Sequence, residues 1–193
     1  MMIAILKYNA GNIKSVRNAL EREGVGCILT DDEKELAAAD KVIIPGVGNA
    51  GPAMRYLRER GLDRVIKSLK QPVLGICLGL QLMCRWSEEE NTGCLGIFDT
   101  DVVKFPPSGI IPHMGWNNFT WLNDDLFKGL TIDDNMYYVH SYYAGLCSHT
   151  TAACTYMVTF SAALRKDNFM ATQFHPEKSA AAGEKVLRNF LSL

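Results

Sequence analysis

The chain has 193 residues, 48% of them hydrophobic and 21% charged, with a net charge of -1. That is enough apolar material to bury a core without staples or metals, and so even a charge, with no basic run, argues against nucleic acid or a membrane surface as partner. No apolar stretch approaches the roughly 18 residues of a membrane span, and MMIAIL lacks the basic start of a signal peptide, so a single cytoplasmic domain over residues 1–193 is expected.

Short apolar runs alternate with helical patterns through the first half, as in a parallel sheet with crossover helices. MIAIL (2–6) reads as a buried strand, with Asn9, Gly11 and Asn12 as turn and cap. Ile13, Val16, Ala19 and Leu20 then recur at helical spacing over 13–23, and Gly24 suits the stop. GCILT (26–30) is a second strand, a polar helix covers 32–38, and KVIIP (41–45) is a third strand ending in Pro-Gly. Helices over about 51–60 and 62–69 lead to PVLGI (72–76), a strand that ends on Cys77, and LGLQLMCRW (78–86) reads as the next helix.

The second half is richer in β patterns. GIFDTDVVKF, MYYVHSYY, TYMVTFSAAL and FMATQFH lie between Gly, Pro, Asn and Asp turns, SAALRKDNFMATQF reads as a hairpin turned at Asp167-Asn168, and 180–192 is a closing helix with a Val186, Leu187, Phe190, Leu191 stripe. No repeat or linker interrupts the chain. The expected fold is α/β: an open, mostly parallel sheet with helices on both faces and an antiparallel β extension.

Six cysteines, at 27, 77, 84, 94, 147 and 154, form no C-x-x-C pair, which argues against a zinc knuckle or a thioredoxin-type redox motif. Five fit the ordinary role of a small buried hydrophobe. Cys77 differs: Gly75-Ile76-Cys77-Leu78-Gly79 is the thiol form of a nucleophile elbow, a tight strand-to-helix turn. The flanking glycines remove side chains that would clash there, and the helix start favours a sulfur anion. Alone, the pattern also fits a buried cysteine at a glycine-rich turn. QFHPE changes the balance. His175 and Glu177 stand two apart after a strand, which on an extended chain puts both side chains on one side. The imidazole can then take the thiol proton while the carboxylate orients it. PGVG (45–48), at the end of the third strand, falls at the sheet edge where ligands of open α/β sheets gather. It can supply an oxyanion-hole N–H beside that of Leu78, or be an ordinary strand exit.

These motifs together resemble the class-I (triad) glutamine amidotransferases, over essentially the whole chain. Within that family YNAGNIKSV (8–16), PGVG, IPHMGWN (111–117), MYYVHSYY (136–143) and QFHPEKS (173–179) resemble the glutaminase subunits of imidazole glycerol phosphate synthases. The resemblance implies one glutamine amidotransferase domain over 1–193, with glutamine as substrate and no cofactor or metal. Cys77 would attack the carboxamide, His175 would shuttle protons and Glu177 would orient it. Val47 and Leu78 N–H groups would hold the oxyanion, with Gly46 and Gly48 giving the turn freedom. Gln81, His140, Ser141 and Tyr142 would line the glutamine pocket. The implied partner is a (β/α)8-barrel cyclase, faced by Asn12, Trp116, Tyr137 and Lys178, although Trp116 and Tyr137 also fit as core aromatics and Lys178 as a surface charge. Ala50 replaces the aromatic that commonly follows PGVG by two. A Val47 peptide able to rotate between glycines implies a lone chain of low activity, switched on by the cyclase and its nucleotide.

Overall fold

A computed structural model of the chain describes residues 1–8 and 12–193. The expected turn residues Asn9 and Gly11 lie outside the described residues. The parallel strands come as expected: β1 (Ile3–Leu6), β2 (Cys27–Thr30), β3 (Lys41–Ile44) and β4 (Val73–Ile76). Between them run α1 (Ile13–Arg22), α2 (Glu33–Ala38), α3 (Ala50–Glu59) and α4 (Leu62–Ser68). α2 starts at Asp32, whose carboxylate accepts from the Lys34 and Glu35 amides and so satisfies two free donors of the first turn.

The helix α5 (Leu78–Met83) is shorter than its apolar pattern suggests. Its last carbonyls are taken by the loop that follows: Leu95 N–H donates to the Leu82 carbonyl, and Ile97 and Phe98 N–H to that of Met83. Trp86 lies instead in a short strand, β5 (Trp86–Ser87), which pairs with β6 (Thr92–Gly93) and β7 (Asp101–Lys104). The strands β8 (His113–Asn118) and β10 (Asn135–His140) form an antiparallel ribbon, with β9 (Trp121–Leu122) between them in sequence. MYYVHSYY is therefore split, because β11 (Tyr142–Ala144) joins β7. TYMVTFSAAL is split too: β12 (Thr150–Tyr156) and β13 (Val158–Lys166) form a hairpin turning at Met157, φ 59. β14 (Phe169–Thr172) follows the expected turn at Asp167, φ 53, and α6 (Ala180–Ser192) closes the chain.

One sheet of order β2-β1-β3-β4-β14-β13-β12-β9 organises these elements. Pairing is parallel from β2 to β14 and antiparallel from β14 to β9. The fold is thus the expected mostly parallel sheet with an antiparallel extension. Alternation within the strands feeds two cores: Ala4, Leu6, Val42 and Ile44 pack with α2–α5, while Ile3, Ile5 and Ile43 pack with Val16 and Leu20 of α1 and Val186, Leu187 and Phe190 of α6. Helices therefore cover both faces, which is why these strands read as continuous apolar runs. Among the described residues no helix is long and apolar enough to cross a membrane. The topology also sets β3 and β14 on either side of β4, so PGVG, Cys77 and QFHPE leave neighbouring strands at one edge of the sheet.

Candidate active site

Cys77 sits between β4 and α5 with φ 52 and ψ -102, a conformation that L residues rarely hold without support. The support is backbone: Cys77 N–H donates to the Thr172 carbonyl at 2.7 Å, and Gln81 N–H to the Cys77 carbonyl at 3.2 Å. A methyl on Gly75 would lie 2.8 Å from the Gly79 carbonyl carbon, and one on Gly79 would run into the Ile44 carbonyl. Both elbow glycines are needed so that α5 can lie directly on β3 and β4.

His175 and Glu177 meet, by a different route from the one the spacing suggests. His175 is extended, but Pro176–Lys178 form a single 3-10 turn that curls the carboxylate back. His175 Nδ1–H then donates to Glu177 Oε1 at 2.8 Å. The histidine is fully buried and Glu177 nearly so, and among the described residues His175 Nε2 and Glu177 Oε2 have no hydrogen-bond partner. Burial on its own would drive the imidazolium out. The Cys77 sulfur and the Glu177 carboxylate outweigh it and push the His175 pKa up to about 10. Ser179 Oγ–H anchors the His175 carbonyl at 2.7 Å, and the Tyr137 carbonyl accepts the His175 N–H at 2.9 Å.

Asn12 turns inward. The residue caps α1 with φ 68, and its side-chain Nδ2 donates to Glu177 Oε1. One N–H of its amide therefore goes to the triad carboxylate. The other three residues expected at that face do cluster: Trp116 is 56% exposed, its ring centroid lies 5.9 Å from that of Tyr137, and the exposed Lys178 Nζ stands 6.0 Å from the Tyr137 ring. Trp116 is thus not a core aromatic. Strand register places Tyr137 opposite Trp116 and Val139 opposite Met114, so one face of the ribbon carries the exposed side chains.

A cavity of about 320 Å3 opens beside Cys77. Its walls include Val47, Gly48 and Leu78 on one side and His140, Ser141 and Tyr142 on the other, with Gln81 among them. Among the described residues neither the Val47 nor the Leu78 N–H has a protein acceptor. Gly46 is needed for packing: a methyl there would stand 2.6 Å from both Gly79 N and Leu78 Cβ, so the glycine lets PGVG pack on the elbow. Gly48, at φ 134, is the position that needs a glycine backbone. Tyr8 OH donates to the Pro45 carbonyl and ties the end of β1 to the same turn.

Glu89 also lines the cavity, a residue the sequence reading did not single out. One of its oxygens accepts the Ala50 N–H at 2.7 Å, which holds the carboxylate at the start of α3. Ala50 is itself fully buried. No local signal marks Glu89, since its Glu-Glu-Glu surroundings read as a solvated surface.

His140 reaches the cavity from a buried chain of hydrogen bonds. Its Nδ1 lies 2.8 Å from the Tyr142 carbonyl, which can only accept, so Nε2 is the acceptor for His113 Nδ1–H at 3.0 Å. His113 Nε2 in turn accepts from Asn117 Nδ2 at 3.3 Å. Both rings are neutral, because burial pushes His113 down to about 4 and His140 down to about 3. An unfolded imidazole near 6.5 takes up a proton that these folded rings refuse. Stability is therefore lost as pH falls below 6.5, by up to about 1.4 kcal/mol per pH unit for each ring. His175 has the opposite sign: its contribution is fully present below 6.5 and lost as pH rises toward 10, so it leaves the slope below 6.5 to the pair. Urea unfolding between pH 6.5 and 5 should show this loss, and His113→Gln should make it shallower. Equal slopes would show that His113 is not held neutral.

The model of the class-I glutamine amidotransferase family matches residues 5–193, and the chain belongs to that family. It is 59% identical over 196 residues, covering all of both chains, to imidazole glycerol phosphate synthase subunit HisH of Bacteroides fragilis (strain YCH46). It is 44% identical to subunit HisH 2 of Legionella pneumophila (strain Lens), covering 100% of this chain and 98% of the relative. Among solved structures, one described as a glutamine amidotransferase superposes with a TM-score of 0.76 at 17% identity, over 98% of this chain and 97% of that one. The structure of PurLQS from Thermotoga maritima gives 0.71 at 16% identity, over 99% and 97%. These two structural likenesses speak for the fold alone.

Proposed function

We propose that the chain hydrolyses glutamine to glutamate and ammonia through a Cys77 thioester and passes the ammonia to a (β/α)8-barrel cyclase subunit. That subunit makes imidazole glycerol phosphate and an aminoimidazole carboxamide ribotide in histidine biosynthesis. The observation that carries the chemistry is the convergence of Cys77, His175 and Glu177 at one sheet edge, beside a cavity of small-molecule size. The identity to HisH subunits over the full chain supports the pathway and the partner. The whole chain works as one glutamine amidotransferase domain, and the cytoplasm is its place of action.

The Cys77 thiolate attacks the carboxamide carbon, and the carbonyl electrons move onto oxygen, which the Val47 and Leu78 N–H groups receive. The intermediate collapses as His175 delivers its proton to nitrogen, expelling ammonia and leaving a thioester. Water then adds, giving a proton to His175, and the C–S bond breaks to return the thiolate and release glutamate. Glu177 keeps the imidazole oriented and favours its charged form, with Asn12 holding the carboxylate. The free side of the Glu89 carboxylate suits the α-ammonium of glutamine. Gln81, His140, Ser141 and Tyr142 shape the rest of the pocket.

Trp116, Tyr137 and Lys178 form the docking face for the cyclase. β10 carries Tyr137 outward and its main chain runs along the triad, so docking is felt at the site. Rotation of the peptide between Gly46 and Val47 turns the Val47 N–H, an oxyanion donor, in or out, a change worth about 10²–10³ in rate. Ammonia release from glutamine should accordingly be low for the chain alone and rise by about 10²-fold or more when cyclase and its ribonucleotide substrate are added together. Full activity of the lone chain would remove the switch. Failure of the cyclase to bind or respond would remove the partner.

A further inference from the structure

Cys77 has a contact that these roles leave unused. The side-chain nitrogen of Gln173, a fully buried residue just beyond β14, lies 3.5 Å from the sulfur. The groups behind it decide which end of that amide faces Cys77. The Tyr142 carbonyl can only accept, and it takes hydrogen bonds from His140 Nδ1–H at 2.8 Å and from Gln81 Nε2 at 3.0 Å. The same Gln81 Nε2 lies 3.3 Å from Gln173 Oε1. Reversing Gln81 would set two oxygens against each other. Reversing Gln173 alone would face two amino groups together and put an oxygen against the sulfur. Gln173 therefore offers an N–H to Cys77, held by a chain of bonds that begins at a fixed backbone carbonyl.

We propose that Gln173 is a further catalytic residue, whose Nε2–H donates to the Cys77 sulfur and stabilises the thiolate that attacks glutamine and that departs again from the thioester. The proposal rests on Cys77 being the nucleophile. In the attack, the sulfur electron pair becomes the C–S bond. In thioester hydrolysis that pair returns to sulfur as the new C–O bond forms and a water proton passes to His175. A hydrogen bond to an ionised acceptor is about twice as strong as to a neutral one, so this contact favours the anion over both thiol and thioester.

The other neighbours of the sulfur do not replace it. The Val139 carbonyl of β10, 3.8 Å away, accepts from a thiol and repels an anion. Tyr8, at the end of β1, is a phenol whose pKa burial raises, with Cys77 adding to the shift. His140 of β10 is neutral, and Glu89 across the cavity is negative. Among the described residues only His175, backed by Glu177, offers the anion a positive charge, and Gln173 adds the neutral donor.

Gln173→Met keeps an unbranched chain of similar length and removes the donor. In the full chain with its cyclase, the pH profile for alkylation of Cys77 by iodoacetamide should move up by about half to one unit. That corresponds to about 3–10-fold slower labelling below the midpoint. Glutaminase kcat should drop about tenfold with KM for glutamine unchanged. An unchanged profile and unchanged kcat, with Cys77 still reactive, would overturn the proposal alone. A wild-type Cys77 that never reacts would remove the nucleophile and this proposal with it. A second measurement needs no variant. Gln71, Gln81 and Gln173 are the only glutamines in the chain, so glutamine-15N-labelled wild-type protein shows three side-chain amides. The proposal expects one of them to follow the titration of Cys77 and to shift on its alkylation, and three insensitive amides would overturn it.

Discussion

Cys77→Ala should remove glutamine hydrolysis while leaving the fold and cyclase binding in place. Alanine keeps a single Cβ at the strained φ 52 of the elbow, and the backbone bonds to Thr172 and from Gln81 do not involve the sulfur. The two side-chain hydrogen bonds that disappear, with Gln173 Nε2 and the Val139 carbonyl, are weak ones to sulfur. Without a nucleophile no thioester forms, and turnover should fall by about 10⁴-fold or more, as when other covalent nucleophiles are removed. A glutamine-like electrophile should label wild-type Cys77 and none of the other five cysteines. Burial lifts the Cys84 thiol well above its ordinary value, the Cys94 thiol to about 12 and the Cys154 thiol to about 11, so all three stay protonated near neutrality. Labelling at any of them, or substantial glutaminase in the alanine variant, would contradict the assignment.

His175→Ala is expected to cost 10²–10⁴-fold or more in kcat, the range typical when a proton carrier is removed. Glu177→Gln should cost less. The amide oxygen can still accept from His175 Nδ1 and Asn12 Nδ2, and its nitrogen takes the place of Oε2, which among the described residues has no partner to lose. What disappears is the negative charge that helps hold His175 protonated. The imidazole pKa must then fall, so the alkaline limb of the kcat/KM profile should move to lower pH in Glu177→Gln. A glutamine variant more damaging than His175→Ala would give Glu177 a direct chemical part. An alkaline limb that stayed in place would show that the carboxylate does not set the charge of the imidazole.

The sequence is informative where chemistry depends on neighbours in the chain. Gly75-x-Cys77-x-Gly79 is legible because a strand-to-helix elbow is a local conformation, and both glycines prove necessary for close backbone packing. The apolar runs of β1–β4 are legible because strands covered on both faces are apolar at every position. His175 and Glu177 could be paired from their spacing, although a 3-10 turn and not an extended chain brings them together.

Other features depend on residues far away in sequence. The apolar pattern of α5 continues past Met83, but the 95–98 loop caps its last carbonyls and Trp86 leaves for the second sheet. Met157 carries no turn signal, yet the antiparallel register of β12 and β13 demands a positive φ there. Asn12 and Glu177 are separated by 165 positions, Gln173 and Cys77 by 96, and Glu89 and Ala50 by 39. These side chains meet because β14 inserts beside β4 and the turn after β3 folds over the elbow. The residues that carry the reaction are set by local sequence. The residues that orient and charge them are chosen by the order of strands in the sheet, since buried polar groups must find partners wherever the topology supplies them.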